Sequence, residues 1–181
     1  MFSERYEGMD LNDVLLQRED YHPFPTVLER DSWEKLSDKL KRDMIKEGEK
    51  YIDFAWPSLP AVRFMDFKRD GNRSKYEAFH FERRKALAYL VLAQCIEGGD
   101  RFLDDIINGI WCICEESFWG VPAHNYNSRN LNSALPDITE PIIDLFAAET
   151  GGLMAWVVYL LQVKLDEVTP LVCERIRTET K

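Results

Sequence analysis

The sequence predicts an all-α fold of antiparallel helical hairpins. Three observations carry that prediction. Apolar residues recur at helical spacing in two consecutive pairs of segments, residues 78–97 with 100–116 and residues 137–162 with 166–181. No strand-rich stretch interrupts them, so stacked hairpins are the natural way to bury their apolar sides. The last segment keeps an apolar side of Leu171, Val172 and Ile176 with nothing after it to pair with. An array of hairpins leaves such an edge unless it closes or is capped, so the chain reads as the front part of a larger ring.

Residues 1–30 are polar, proline-punctuated and poorly periodic, and are expected to form an irregular segment ahead of a helical domain over 31–181. Asp31 or Ser32 caps a predicted surface helix running to about Lys46, with Trp33, Leu36, Leu40 and Met44 on its apolar side. Residues 49–77, with Pro57, Pro60 and a Gly71-Asn72 turn, read as a long connection with short extended pieces. A helix from Ala78 stops at Gly98-Gly99, and Asp100 caps the next, over Arg101–Glu116. After a loop at 117–136, Asp137 with Glu140 forms a capping box, and Thr139 with Pro141 is an equally sound start. That helix runs to about Gln162 through Gly151-Gly152, a pair tolerable where the helix kinks or a neighbouring backbone comes close. The final helix is expected from Asp166 to Lys181.

A chain of 181 residues, 45% hydrophobic and 30% charged, suffices for one core. Its net charge of -9 argues against a nucleic-acid partner, whose binding rests on neutralising phosphates. Residues 61–85 nonetheless carry a net charge of +4, a local patch that would attract anions. Cys95, Cys112, Cys114 and Cys173 lie among apolar residues without metal-site spacing, so free thiols in a reducing compartment are expected, with no metal and no cofactor. The N-terminus lacks a signal segment, and the longest apolar run, Leu153–Leu161, is far short of the roughly twenty residues that span a bilayer. The expectation is a soluble, cytoplasmic protein without a membrane partner.

The most informative stretch is Trp111–Asn127, where an aromatic helical run enters a proline-limited loop. His124, Asn125 and Tyr126 follow two tryptophans there, and indole faces beside hydrogen-bonding groups suit a sugar ring. The unperturbed pKa of a histidine side chain suits proton transfer near neutral pH, so His124 is the first candidate; bonding to a helix-end carbonyl is its structural alternative. Asn125 suits a sugar carboxylate or a turn, and Tyr126 suits a leaving oxygen or stacking. For Trp119 sugar stacking and core packing stand equal, while for Trp111 core packing is the stronger competitor. Arg73, Arg83 and Arg84 would receive an acidic sugar unless they only form salt bridges. Glu115 and Glu116 point about 100 degrees apart on a helix, so one can face the core and the other the loop. Either one, with Asp144 or Glu149, would provide the two carboxylates of a glycosidase if they lay about 5 to 9.5 Å apart. Glu149 falls in a nearly apolar helix and is expected to be paired, anchoring the loop or a helix N-terminus.

Four stretches resemble the heparinase II/III-like polysaccharide lyases: Phe67–Arg73, Tyr76–Arg84, Trp111–His124 and Asp144–Gly151. The resemblance covers roughly residues 50–180. It implies part of an incomplete alpha/alpha toroid followed by a beta-sandwich domain that this chain lacks. It also implies beta-elimination on a uronic-acid-containing polysaccharide, with Asn125, His124 and Tyr126 as candidates for carboxylate neutraliser, base or neutral helper, and acid. Two other classes stand beside it: a toroid-type glycoside hydrolase using the carboxylates above, and a non-catalytic carbohydrate-binding or scaffold module.

Overall fold

The computed structural model describes residues 8–17, 20–127, 133–139 and 142–181, apart from the side chains of Leu11, Asn12, Tyr126 and Asn127. The helices are α1 (Leu11–Val14), α2 (Arg30–Glu34), α3 (Asp38–Glu49), α4 (Ala61–Asp70), α5 (Ser74–Glu97) and α6 (Leu103–Cys114). A 3-10 helix (Pro122–Asn127) follows, then α7 (Leu145–Val168) and α8 (Leu171–Glu179). No strand occurs among the described residues, so the fold is an all-α bundle.

The long helix α5 is the hub. It packs against α3, α4, α6 and α7, while α8 closes the bundle against α6 and α7. The core is a single cluster that includes Leu87, Leu90, Phe102, Ile106, Ile110, Ile113, Met154, Leu161, Leu165 and Ile176. Helix α3 approaches α5 closely because Gly48 has no side chain; a Cβ there would overlap Ala93 and press on the Tyr89 carbonyl. Helix α5 ends where Gly98 takes up the left-handed conformation (φ 77°), which costs glycine little. The Arg30 guanidinium fills the space beside Gly98 and donates to the carbonyls of Cys95 and Ile96, complementing the negative end of the helix.

Several expectations are corrected. The helix expected over 31–46 is two helices, and Ser37 caps the second by accepting from the Leu40 N–H (3.3 Å). The 49–77 connection contains α4, whose only buried side chain is Phe64, so its apolar period is faint. Pro60 caps that helix and does not break it. The helix expected from Asp137 starts at Leu145 instead. Asp144 is its cap, accepting from the Ala147 N–H (2.7 Å), while Asp137 only closes a turn onto Thr139. Glu140 and Pro141 lie outside the described residues. Helix α7 runs past Asp166, and Pro170 sets the start of α8. A Cβ on Gly151 or Gly152 would meet nothing within 4 Å, so no neighbouring backbone explains that pair. By length and composition α7 would pass as a membrane span although its longest apolar run is short; in this bundle it buries Met154, Val157, Leu161 and Leu165 in the core.

The later part of the irregular N-terminal segment belongs to the same bundle. The Val27 side chain is buried in the core and its N–H donates to the Leu160 carbonyl (3.0 Å). The Tyr159 hydroxyl donates to the Phe24 carbonyl (2.5 Å), and Trp33 Nε1 to the Thr26 carbonyl (2.8 Å).

Candidate functional site

The connection from α6 to α7 carries the site. After Cys114 the chain passes Trp119, whose ring lies against the core and whose Nε1 donates to the Ile113 carbonyl (2.9 Å). At Gly120 the backbone squeezes between the Phe118 ring and the Asp144 carboxyl group, and a Cβ there would contact both. The 3-10 helix then begins, and the His124 N–H donates to the Val121 carbonyl (3.0 Å).

This tight passage brings His124 to Asp144. Histidine Nδ1 lies 2.7 Å from Asp144 Oδ2, while Oδ1 of the same carboxylate caps α7. A carboxylate only accepts, so the Nδ1 proton is fixed and proton exchange falls to Nε2. The Asp144 side chain is 2% exposed and that of His124 is 28% exposed. The imidazole also stacks on Phe146 (5.2 Å between centroids, 18° between planes). A partly exposed imidazole oriented by a buried carboxylate and a ring has the geometry of a general base or acid.

The other candidates divide. Asn125 follows His124 and donates from Nδ2 to the Ser133 carbonyl (3.3 Å), bracing the loop. The Tyr126 side chain lies outside the described residues. Glu115 and Glu116 lie just past the end of α6 and part company there: Glu115 is exposed, and the Glu116 side chain is 4% exposed. Glu116 is gripped by Arg83 Nη1 (2.9 Å) and by Arg84 Nη1 and Nη2 (2.9 and 2.6 Å). Arg83 further donates to the Pro57 and Cys112 carbonyls, and Arg84 to Thr150 Oγ1, so the cluster ties α5 to α6 and α7. Of the two alternatives the sequence leaves for these arginines, salt bridges are the one both form. Arg73 is exposed, pairs with Glu77 (3.4 Å), and stands about 15 Å from Arg83 along α5 at 1.5 Å per residue. Trp111 is not in the core; it is 43% exposed, with the Arg175 guanidinium 5.6 Å from its ring centre. Glu149 is exposed on α7 and anchors neither the loop nor a helix N-terminus, because its face of the helix turns to solvent.

Three hollows lie along this connection. The largest, about 490 Å³, is lined by residues including Phe64, Tyr76, Arg83, Glu115, Glu116 and Phe118. A second, about 130 Å³, shares Phe64 with it and reaches Lys68 and Asn125. A third, about 230 Å³, shares Glu116, Ser117, Phe118 and Ile138 with the first and reaches Trp119. Together they trace a groove past the 117–125 loop. Tyr76 and Phe64 belong to the stretch read from sequence as an irregular connection or its edge, and their part in the groove was not legible there.

A row of rings joins groove and imidazole: Phe64, Tyr76, His80, Phe81, Phe146 and His124 follow one another at centroid distances of 5.0 to 6.1 Å. His80 is fully buried with neither ring nitrogen hydrogen-bonded, and burial together with the Arg84 and Arg83 charges pushes its pKa down to about 3. Burial, reinforced by Glu116, pushes the Tyr76 phenol up to about 12, so it remains a proton-bearing donor. Burial also raises the Cys112 thiol, so this wall of the groove offers no thiolate nucleophile at neutral pH. No cluster of three or more metal-ligating side chains occurs among the described residues. No family model matches the chain, and no curated protein matches it.

Proposed function

We propose that this chain forms the helical wall of a glycan-binding cleft in a polysaccharide lyase-like enzyme acting on uronic-acid-containing chains. In this reading the helix pairs belong to an incomplete alpha/alpha toroid, and a beta-sandwich domain elsewhere in the same protein supplies the opposite wall. His124 takes the proton from the carbon beside the uronate carboxyl group. The electron pair left behind forms a carbon–carbon double bond and expels the glycosidic oxygen, which is protonated by the Tyr126 phenol. Asn125 keeps a second amide hydrogen to offer the uronate carboxylate beyond the one given to Ser133.

The observation that carries the reading is the His124–Asp144 contact at 2.7 Å, on a connection whose neighbouring residues Phe118 and Asn125 line the hollows. Orientation by a buried carboxylate supplies the tautomer a proton-transferring imidazole needs. The hydrolase alternative is weaker on this geometry. Glu116 is held by two guanidinium groups, and Asp144 is committed to a helix cap and an imidazole, so neither is placed to deliver a proton to a leaving group.

The test is incubation of the gene product that carries this chain with a panel of uronic-acid polymers, following the ultraviolet absorbance of an unsaturated uronic product. His124→Ala is expected to lower that rate by about 10²-fold or more. New reducing ends without unsaturation, or an unchanged rate in His124→Ala, would overturn the reading.

A further inference from the structure

The largest hollow carries a charge imbalance. Two guanidinium groups, Arg83 and Arg84, face a single carboxylate, Glu116, and all three side chains are at least nearly buried. Buried charge is costly unless it is balanced, so one positive charge here is left over. Helix-end and loop carbonyls take up two of the Arg83 donor directions, towards Cys112 and Pro57, but carbonyls offset only part of a full charge. Of these two arginines Arg83 lines the hollow. The hydrogen bonds that Arg83 makes to described residues use Nε and Nη1, which leaves Nη2 uncommitted. The Tyr76 phenol lines the same space and stays protonated, and the Phe64 and Phe118 rings supply an apolar floor. The remaining carboxylate on the lining, Glu115, is exposed and forms no ion pair with either arginine.

We infer that this hollow is a subsite for a carboxylate carried on a ring, with Arg83 Nη2 and the Tyr76 hydroxyl as donors and the Phe64 and Phe118 rings under the ring face. The inference deepens the glycan reading, in which the ring is a uronic acid; the same chemistry would also admit an aryl carboxylate. A neutral sugar leaves the surplus charge uncompensated. The subsite is distinct from His124 and joins it through the row of rings.

The test is calorimetric or NMR titration of the intact chain with glucuronate, benzoate and glucose as probes. A carboxylate probe is expected to bind saturably and glucose at least about tenfold more weakly, since one charge-assisted hydrogen bond accounts for about that factor. Tyr76→Phe, which keeps the ring packing, is expected to weaken carboxylate binding several-fold with an unchanged melting temperature. Glu115→Gln, which removes the exposed repelling charge among the described lining residues, is expected to strengthen it, and added salt to weaken it. Equal binding of glucose and glucuronate, or no effect of either substitution, would overturn the subsite. Benzoate binding with no glucuronate binding would keep the carboxylate subsite and remove the glycan reading. Glucuronate binding in a protein without lyase activity would separate the two in the other direction.

Discussion

Two carboxylates are buried at the two ends of the connection between α6 and α7, and their surroundings differ. Glu116, at the end of α6, is saturated by two arginines that also grip backbone carbonyls and Thr150. Asp144, at the start of α7, holds one helix N–H and one imidazole, and that imidazole is partly open to solvent. The first is a joint between three helices. The second leaves its imidazole partner partly exposed. Burial alone does not mark a functional carboxylate; what marks it is a partner that can still exchange a proton.

The strongest way to break this contrast is to neutralise both. Glu116→Gln leaves two nearly buried guanidinium groups without their counter-charge, and a loss of about 3–5 kcal/mol in denaturant-derived stability is expected. Asp144→Asn keeps a side chain that caps helices well, so a loss of about 1 kcal/mol or less is expected. Equal losses would erase the distinction between joint and site.

An effect smaller per pH unit, but spread over several units, probes the row of rings that ends at His124. The folded pKa of His80, about 3, lies below that of an exposed histidine. Between those two values the unfolded chain binds a proton that the folded chain refuses, so stability falls as pH drops below about 6.5 and goes on falling towards the folded pKa. Its share of the slope is about 1.4 kcal/mol per pH unit. Urea midpoints measured across this range are expected to show that slope in the wild type and to lose that share in His80→Leu. An unchanged slope would mean that His80 is already protonated or hydrated in the fold.

The mildest probe concerns the first turns of α7. Gly151→Ala and Gly152→Ala meet no neighbour, and each is expected to stabilise the protein by roughly 0.5–1 kcal/mol through helix propensity and unfolded-chain entropy. Thermal melts would show a rise of about 2–4 °C per kcal/mol. A lower melting temperature would mean that the start of α7 is as tightly packed as the end of α6.

Helix class and the strong helices were legible because α5, α6 and the body of α7 repeat apolar residues at helical spacing. Helix α4 was not, because a helix with one buried side chain leaves almost no period. The start of α7 was displaced because Asp137 and Asp144 are equivalent caps to a local reading. The distant His124 side chain, bonded to Asp144, distinguishes them. His124 was legible as a candidate from its residue type and loop setting, and Asp144 as a supporting group. The sequence leaves undecided whether Arg83 and Arg84 form an open basic patch or salt bridges, because it shows charge without showing its partner, here Glu116. Tyr76 was missed for the same reason, since its role depends on a space enclosed by residues from four separated stretches.

The strap formed by residues 22–30 has a consequence for biogenesis. Its backbone and side chains close onto Tyr159 and Leu160, more than 130 residues later in the chain. During synthesis this segment leaves the ribosome before α7, yet its docking surface does not exist until α7 has emerged. A part of the bundle made before α7 is thus among the last to settle, and the Cys95 and Ile96 carbonyls at the end of α5 wait unsealed until Arg30 docks.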